Sequence, residues 1–314
     1  MANFFFRRMP GLRSLLRMRD DISAIRASVE ELTSSRGDLH SLYRLEMLDR
    51  INDVEWAHRR ITLETHALMV ANSKRYDDPK RLNRFEAQVF SQNGEDGIIT
   101  EIFSRLGTAN RVFVEIGCGD GRENNTAYRL LLGWSGYWID GDERNISVAR
   151  REQGTAISQG RLSVQQAFVT RENAGVLLQA YGVPREFDLL SIDVDRNSSW
   201  VWRALEHYTP RVVVVEYNAS IPPQDDWEIE YDANATWDGT LLFGASLRAL
   251  QRIGSEMGYS LVGCDSSGVN AFFVRDDLTG HLFSEPFDAN HHYEPPRYFL
   301  VRTWGHPRPG QQEV

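Results

Sequence analysis

The sequence predicts an α/β fold: five parallel strands closed by an antiparallel hairpin, preceded by an amino-terminal helical segment. Two observations predict it. From residue 90 onward, short runs rich in Val, Ile, Leu, Phe and Trp alternate with helical stretches. The last two runs are separated by only Asp265-Ser266-Ser267-Gly268-Val269, too short for a helical crossover, so they must pair antiparallel. A third observation sets the scale: 314 residues, 41% hydrophobic and 25% charged, suffice for one sizeable core with an appendage.

The appendage is residues 1–75. Phe4, Phe5, Phe6, Leu12, Leu15 and Leu16 are interleaved with Arg7, Arg8, Arg13, Arg17 and Arg19, with no acid before Asp20. This pattern suits a basic amphipathic helix on an anionic membrane surface and a solvated terminus equally. Met18, Ile22, Ile25, Val29, Leu32 and Leu39 then follow coiled-coil spacing, with a break expected near residues 34–38 before helix resumes to about residue 71. Such a narrow apolar stripe needs a partner, and the expected one is a second copy of the chain, giving a homo-oligomer. Residues 76–89 are polar and turn-rich, and are expected to be a linker.

The expected strands of the main domain, residues 90–280, are 111–116, 136–140, 162–168, 187–192, 211–216, 259–264 and 270–275. Residues 281–314 are expected as a tail packed on that domain, with His291 and His292 outside the site. A net charge of -9 argues against a general nucleic-acid binder. Cys118 and Cys264 form no disulfide framework, and no run approaches the roughly 20 apolar residues of a membrane span. The expected setting is the cytoplasm, peripherally at the inner membrane face if the amino-terminal helix binds lipid.

The chemistry-bearing signal is Val112-Phe113-Val114-Glu115-Ile116-Gly117-Cys118-Gly119-Asp120-Gly121, a buried strand running into a glycine-rich turn. Glycines let backbone approach a ligand, and Glu115 can hold a cationic or hydrogen-bonding group. The next strand ends at Asp140, 23 residues after Gly117, where a carboxylate can accept both hydroxyls of a ribose. Helix capping is the other role open to an acid here, more for Asp142 than for Asp140.

This combination resembles the S-adenosylmethionine site of class I methyltransferases, and more narrowly the FkbM-type O-methyltransferase group. The resemblance continues through Ser91-Gln92-Asn93-Gly94-Glu95-Asp96-Gly97, Glu123-Asn124-Asn125-Thr126, Ser191-Ile192-Asp193-Val194-Asp195, Glu216-Tyr217-Asn218, Gly244-Ala245-Ser246-Leu247 and Gly268-Val269-Asn270-Ala271-Phe272-Phe273, covering most of residues 90–276. It implies a Rossmann-like seven-stranded sheet and S-adenosylmethionine as cofactor. Glu115, Gly117 and Gly119 would cradle the methionine part, Asp140 the ribose, and Ala167 and Phe168 would border adenine. It also implies a sugar or glycan hydroxyl as acceptor, an inference by analogy.

Methyl transfer from a sulfonium needs alignment and, for an alcohol, removal of a proton. Asp193 and Glu216, at the ends of the fourth and fifth strands, are the candidate bases; with Asn218 they are also candidate Mg²⁺ ligands. Capping by Asp193 and Asp195, and pairing of Glu216 with a buried Arg, are the structural alternatives. After Asp195 the group usually has a small Gly-Asn-type turn, whereas this chain has Arg196-Asn197-Ser198-Ser199, so the acceptor pocket is where it departs. Asp193-Val194-Asp195 also suits a metal-dependent glycosyltransferase, and the amino-terminal helices suit a non-catalytic scaffold. The glycine turn and Asp140 weigh against both. Residues 221–238, with Trp227 and Trp237 among acids, are too long for an ordinary connection and suggest a substrate lid.

Overall fold

The computed structural model describes residues 72–297 except Asp238, together with a few helical positions between 61 and 70. The chain divides into two units, Met1–Asn72 and Ser73–Val314. The expected membrane helix and coiled coil lie outside the described residues. The sheet and the candidate site both belong to the second unit.

Seven strands form one sheet: β1 (Val112–Ile116), β2 (Ser135–Asp140), β3 (Leu162–Gln166), β4 (Leu189–Ile192), β5 (Val212–Glu216), β6 (Tyr259–Cys264) and β7 (Asn270–Arg275). Their order is β3-β2-β1-β4-β5-β7-β6. The first five run parallel, and β7 pairs antiparallel with both β5 and β6. This is the expected class I methyltransferase sheet, hairpin included. The central strands read VFVEI, LLSI and VVVVE because both faces of a parallel sheet are covered, which favours continuous apolar runs over alternation. The third strand stops at Gln166, two residues before the expected Phe168.

The helices are α1 (Glu95–Leu106), α2 (Ala127–Leu131), α3 (Glu143–Glu152), α4 (Gly154–Ser158), α5 (Ala174–Ala180), α6 (Ser198–Ala204), α7 (Leu247–Glu256), α8 (Asp276–Thr279) and α9 (Ala289–His292). One sheet face packs Phe113, Leu189, Val214 and Phe272 against Ile98, Ile99 and Ile102 of α1. The other packs Val114, Leu190, Val213 and Phe273 against Leu178, Trp202, Leu250 and Ile253. Register makes Glu115, Ser191 and Val214 neighbours across β1, β4 and β5, and pairs Glu216 with Asn270. The α1 face is therefore apolar at its amino end and turns polar toward the strands' carboxyl ends. Among the described residues no helix is long and apolar enough to cross a membrane.

The expected linker is not one. Residues 76–89 are turn-rich, with short 3-10 turns at Lys74–Tyr76 and Leu82–Phe85, yet Tyr76, Leu82, Asn83 and Arg81 are buried. Asn83 Nδ2 donates to the Cys264 carbonyl (2.8 Å), and Glu86 accepts the Ser266 N–H (2.7 Å), tying this segment to the β6–β7 hairpin. The trailing segment is buried in places as far as it is described. Phe283 and Ala289 are buried, and the buried Glu294 accepts from Tyr76 Oη (2.8 Å), Arg75 Nε (3.0 Å) and Arg297 Nη1 (2.9 Å). A carboxylate removed from water persists when charged donors replace its hydration, and Glu294 has two guanidinium partners.

Candidate cofactor and acceptor site

Reversal of strand order between β1 and β4 opens a crevice at their carboxyl ends, where ligands of open α/β sheets bind. The glycine turn lies there. Gly117 has φ +84°, and a Cβ on it would lie 1.6 Å from the Asp193 carbonyl oxygen, so only glycine lets β1 end against β4. Gly119 also has positive φ (+56°), but a Cβ there would meet nothing within 4 Å. The turn is thus closed on its protein side at Gly117 and open at Gly119, the shape a backbone cradle for a ligand requires.

Asp140 stands beside this opening. Its Oδ2 accepts the Gly119 N–H (2.9 Å), while Oδ1 accepts the Asp142 N–H (2.8 Å) and, more weakly, Asn145 Nδ2 (3.4 Å). A carboxylate has about four acceptor positions, so it can fix the turn and still accept from a ribose hydroxyl. Asp142 is the helix cap, accepting the Arg144 N–H (2.7 Å) at the start of α3. The Ala167 N–H donates to the Asp140 carbonyl (2.9 Å), and the Phe168 ring lies against Gly141, where a Cβ would come within 3.1 Å of it. Phe168 remains 51% exposed. An exposed aromatic face beside a carboxylate at the switch point offers a surface on which a planar ring could stack.

Glu115 takes a different place from the one expected. It is fully buried and accepts the Asn125 N–H (2.8 Å), the Thr126 N–H (3.2 Å) and the Thr126 hydroxyl. That hydroxyl in turn accepts Trp138 Nε1 (2.7 Å). Burial raises the Glu115 carboxyl to about 7 despite these bonds. Its carboxylate holds residues 125 and 126 beneath the turn. Glu95 does similar work at the start of α1, accepting from Asn93 N (2.7 Å), Asn93 Nδ2 (2.8 Å) and Asn270 Nδ2 (2.7 Å). Burial raises its pKa too. The roles of Thr126, Asn270 and Glu95 are not evident from sequence, although all three lie in stretches that carry the resemblance.

Asp193 and Asp195 are exposed at the end of β4, and Glu216 is buried at the end of β5. Asp195 adopts φ +53°, a left-handed conformation few non-glycine residues occupy, which turns the chain sharply into α6. Asn218 is the clear departure from expectation. It is fully buried, with Nδ2 donating to the carbonyls of Leu241 (2.7 Å) and Phe243 (3.0 Å) and Oδ1 accepting the Ser220 N–H (3.0 Å). Its amide clamps the following loop. Among the described residues no group of three His, Cys, Asp or Glu side chains is arranged to hold a metal ion.

The loop Asn218 clamps contains the expected lid, and both its margins are fastened. Trp200 Nε1 donates to the Ile229 carbonyl (3.0 Å), Asn197 Nδ2 to that of Asp232 (2.9 Å), and Arg203 pairs with both oxygens of Glu228 (3.0 and 2.9 Å). The Arg171 guanidinium lies 4.1 Å from the Tyr231 ring centre, and Tyr231 Oη bonds Glu172. At the other margin Ser246 exchanges backbone and side-chain bonds with Trp227, and Gly244 approaches the Asp195 carbonyl. Within the Arg196–Ser199 stretch, where the chain departs from the resembled group, Asn197 contributes one of these bonds. A separate cavity of about 530 Å³ opens at the opposite edge, beside Ser135, Arg161 and Ser163 at the amino ends of β2 and β3, away from all these residues.

No family model matches this chain, and no curated protein matches it in sequence. Solved structures similar to it include a S-adenosylmethionine-dependent methyltransferase from Clostridium acetobutylicum, 12% identical, covering 56% of this chain and 89% of that one, with a TM-score of 0.34. Another is a SAM-dependent methyltransferase from Aquifex aeolicus, 11% identical, covering 65% and 96%, with a TM-score of 0.34. A third is the METTL16 methyltransferase domain, 11% identical, covering 57% and 66%, with a TM-score of 0.39. Scores this low add nothing to the strand order, which itself defines the fold.

Proposed function

We propose that the chain is an S-adenosylmethionine-dependent O-methyltransferase whose acceptor carries a hydroxyl, such as that of a sugar or glycan intermediate. The observation that carries this is the junction of Gly119 and Asp140: an open backbone turn at the sheet's switch point, bonded to a carboxylate at the end of the next strand. The residues fit the cofactor. Gly117 and Gly119 leave backbone bare for the methionine end, Asp140 accepts from the ribose, and Ala167 and Phe168 border the adenine. When bound, the cofactor supplies a methyl group on a sulfonium, an electrophile that needs no further activation.

The remaining work falls to the chain. The exposed Asp193 carboxylate, one residue beyond β4, is the first candidate to accept the acceptor's hydroxyl proton, with Glu216 beside it on β5 as the second. The amino-terminal segment, by its heptad spacing, is proposed to assemble copies of the chain. An Asp193→Asn variant tests the base assignment: cofactor affinity stays at the wild-type level while methyl transfer falls by two orders of magnitude or more. Loss of cofactor binding in that variant would make Asp193 structural.

A further inference from the structure

The lid carries a feature that the cofactor site does not use. Leu241 and Leu242 are adjacent and 64% and 63% exposed, although the chain around them is held firmly. The Leu241 carbonyl accepts from the fully buried Asn218, two residues after Glu216, and the Phe243 side chain that follows is buried. Trp237 Nε1 donates to the Thr240 carbonyl (2.8 Å), bracing the same tip from the other side. Two leucines held in water by a buried clamp cost more than a polar loop would, and an apolar surface beside a site is the usual mark of a ligand contact.

Charge narrows what that ligand is. Residues 219–246 contain Asp225, Asp226, Glu228, Glu230, Asp232 and Asp238 and no basic residue. Arg252 and Arg203 neutralise Asp226 and Glu228 from outside the lid. Asp193 and Asp195 add two carboxylates on the β4 side. A phosphorylated or carboxylated acceptor would be repelled here, whereas a neutral molecule with a hydroxyl at one end and an apolar body at the other meets both features.

We infer that the acceptor is a neutral amphipathic alcohol, its hydroxyl between Asp193 and Glu216 and its apolar body on Leu241 and Leu242. This rests on the methyltransferase reading and names its substrate class. Octyl β-D-glucoside, below its micellar concentration, methyl β-D-glucoside and glucose 1-phosphate are titrated calorimetrically into the full chain, with and without saturating S-adenosylhomocysteine. The octyl glucoside binds at least tenfold more tightly than the methyl glucoside, and glucose 1-phosphate is weakest. The double substitution Leu241→Ser, Leu242→Ser brings the octyl compound down to the methyl level and leaves S-adenosylhomocysteine affinity unchanged. Equal binding of the two glucosides, an octyl preference that survives the substitutions, or tighter binding of the phosphate each overturns the inference. Absence of S-adenosylhomocysteine binding overturns the cofactor reading instead, and the titrations without it still report on the apolar contact.

Discussion

The two halves of the site are built in different ways. The proposed cofactor half, on β1, β2 and the end of β3, is made close to the backbone: a turn closed to any side chain at Gly117, a carboxylate bonded to that turn, and a ring laid on a glycine. The acceptor half, on β4, β5 and the lid, is made by side chains reaching across the sequence: Asn218 to Leu241 and Phe243, Asn197 to Asp232, Trp200 to Ile229 and Arg203 to Glu228. The turn tolerates no added atom at Gly117. A set of side-chain clamps can be exchanged one at a time, so on the proposed reading the acceptor side can vary while the cofactor side stays fixed.

That difference is open to test. The largest effect is expected for Gly117→Ala, where the new Cβ falls 1.6 Å from the Asp193 carbonyl at φ +84°. Overpacking and backbone strain together cost on the order of 2–5 kcal/mol, and thermal melts would record a large fall in Tm with loss of cofactor binding. Gly119→Ala, facing open space, should cost less stability and act on affinity; equal damage at both positions would break the distinction between the closed and open sides of the turn.

Glu115 gives the next effect, through pH. Its carboxyl rises to about 7 in the fold from an ordinary 4.5. The folded state therefore holds the proton more tightly than the unfolded chain, and this group's contribution is greatest below pH 4.5 and is lost as pH rises through 7. The loss is on the order of 3 kcal/mol. Denaturant unfolding at pH 5 and pH 8 should show a smaller difference for Glu115→Gln than for the wild type; identical differences would remove Glu115 as the buried titrating group.

Asn218→Ala leaves the buried Phe243 carbonyl and the part-buried Leu241 carbonyl without this donor, costing about 1–3 kcal/mol. In the acceptor half this should raise the acceptor KM while the cofactor Kd stays fixed, and a change confined to the cofactor would refute the division of the site. The smallest effect is expected for Arg171→Ala, which removes a part-exposed stacking contact worth about 0.5–1 kcal/mol. Limited proteolysis should then cut within residues 229–242 sooner than in the wild type.

The same contrast explains what is legible in the sequence. The fold is readable because strand runs, the short 265–269 turn and the glycine spacing are local signals. Gly117, Gly119, Asp140 and Phe168 stand together for that reason: each sits at a strand end whose position follows from the pattern. Glu115 is legible as an acid on the first strand, but its commitment to Asn125 and Thr126 depends on how the next loop folds back. Asn218 resembles a cation ligand in sequence because a strand-end amide suits that role, and its true partners lie 23 and 25 residues away. The 76–89 segment reads as a linker because isolated Tyr76 and Leu82 carry no periodicity, and only their distant partners, the hairpin strand beside Leu82 and Glu294 bonded to Tyr76, show why they are buried. Leu241 and Leu242 are visible in the sequence as an apolar pair in an acidic loop.

Everything proposed for this chain depends on S-adenosylmethionine binding at the Gly119–Asp140 junction. The decisive experiment is calorimetric titration of the purified chain with S-adenosylmethionine and S-adenosylhomocysteine, with a UDP-sugar plus Mn²⁺ as control. Micromolar binding of both adenosyl compounds is expected, at least tenfold weaker in Asp140→Ala. Binding of the sugar nucleotide in their place, or adenosyl binding that Asp140→Ala does not weaken, would contradict it.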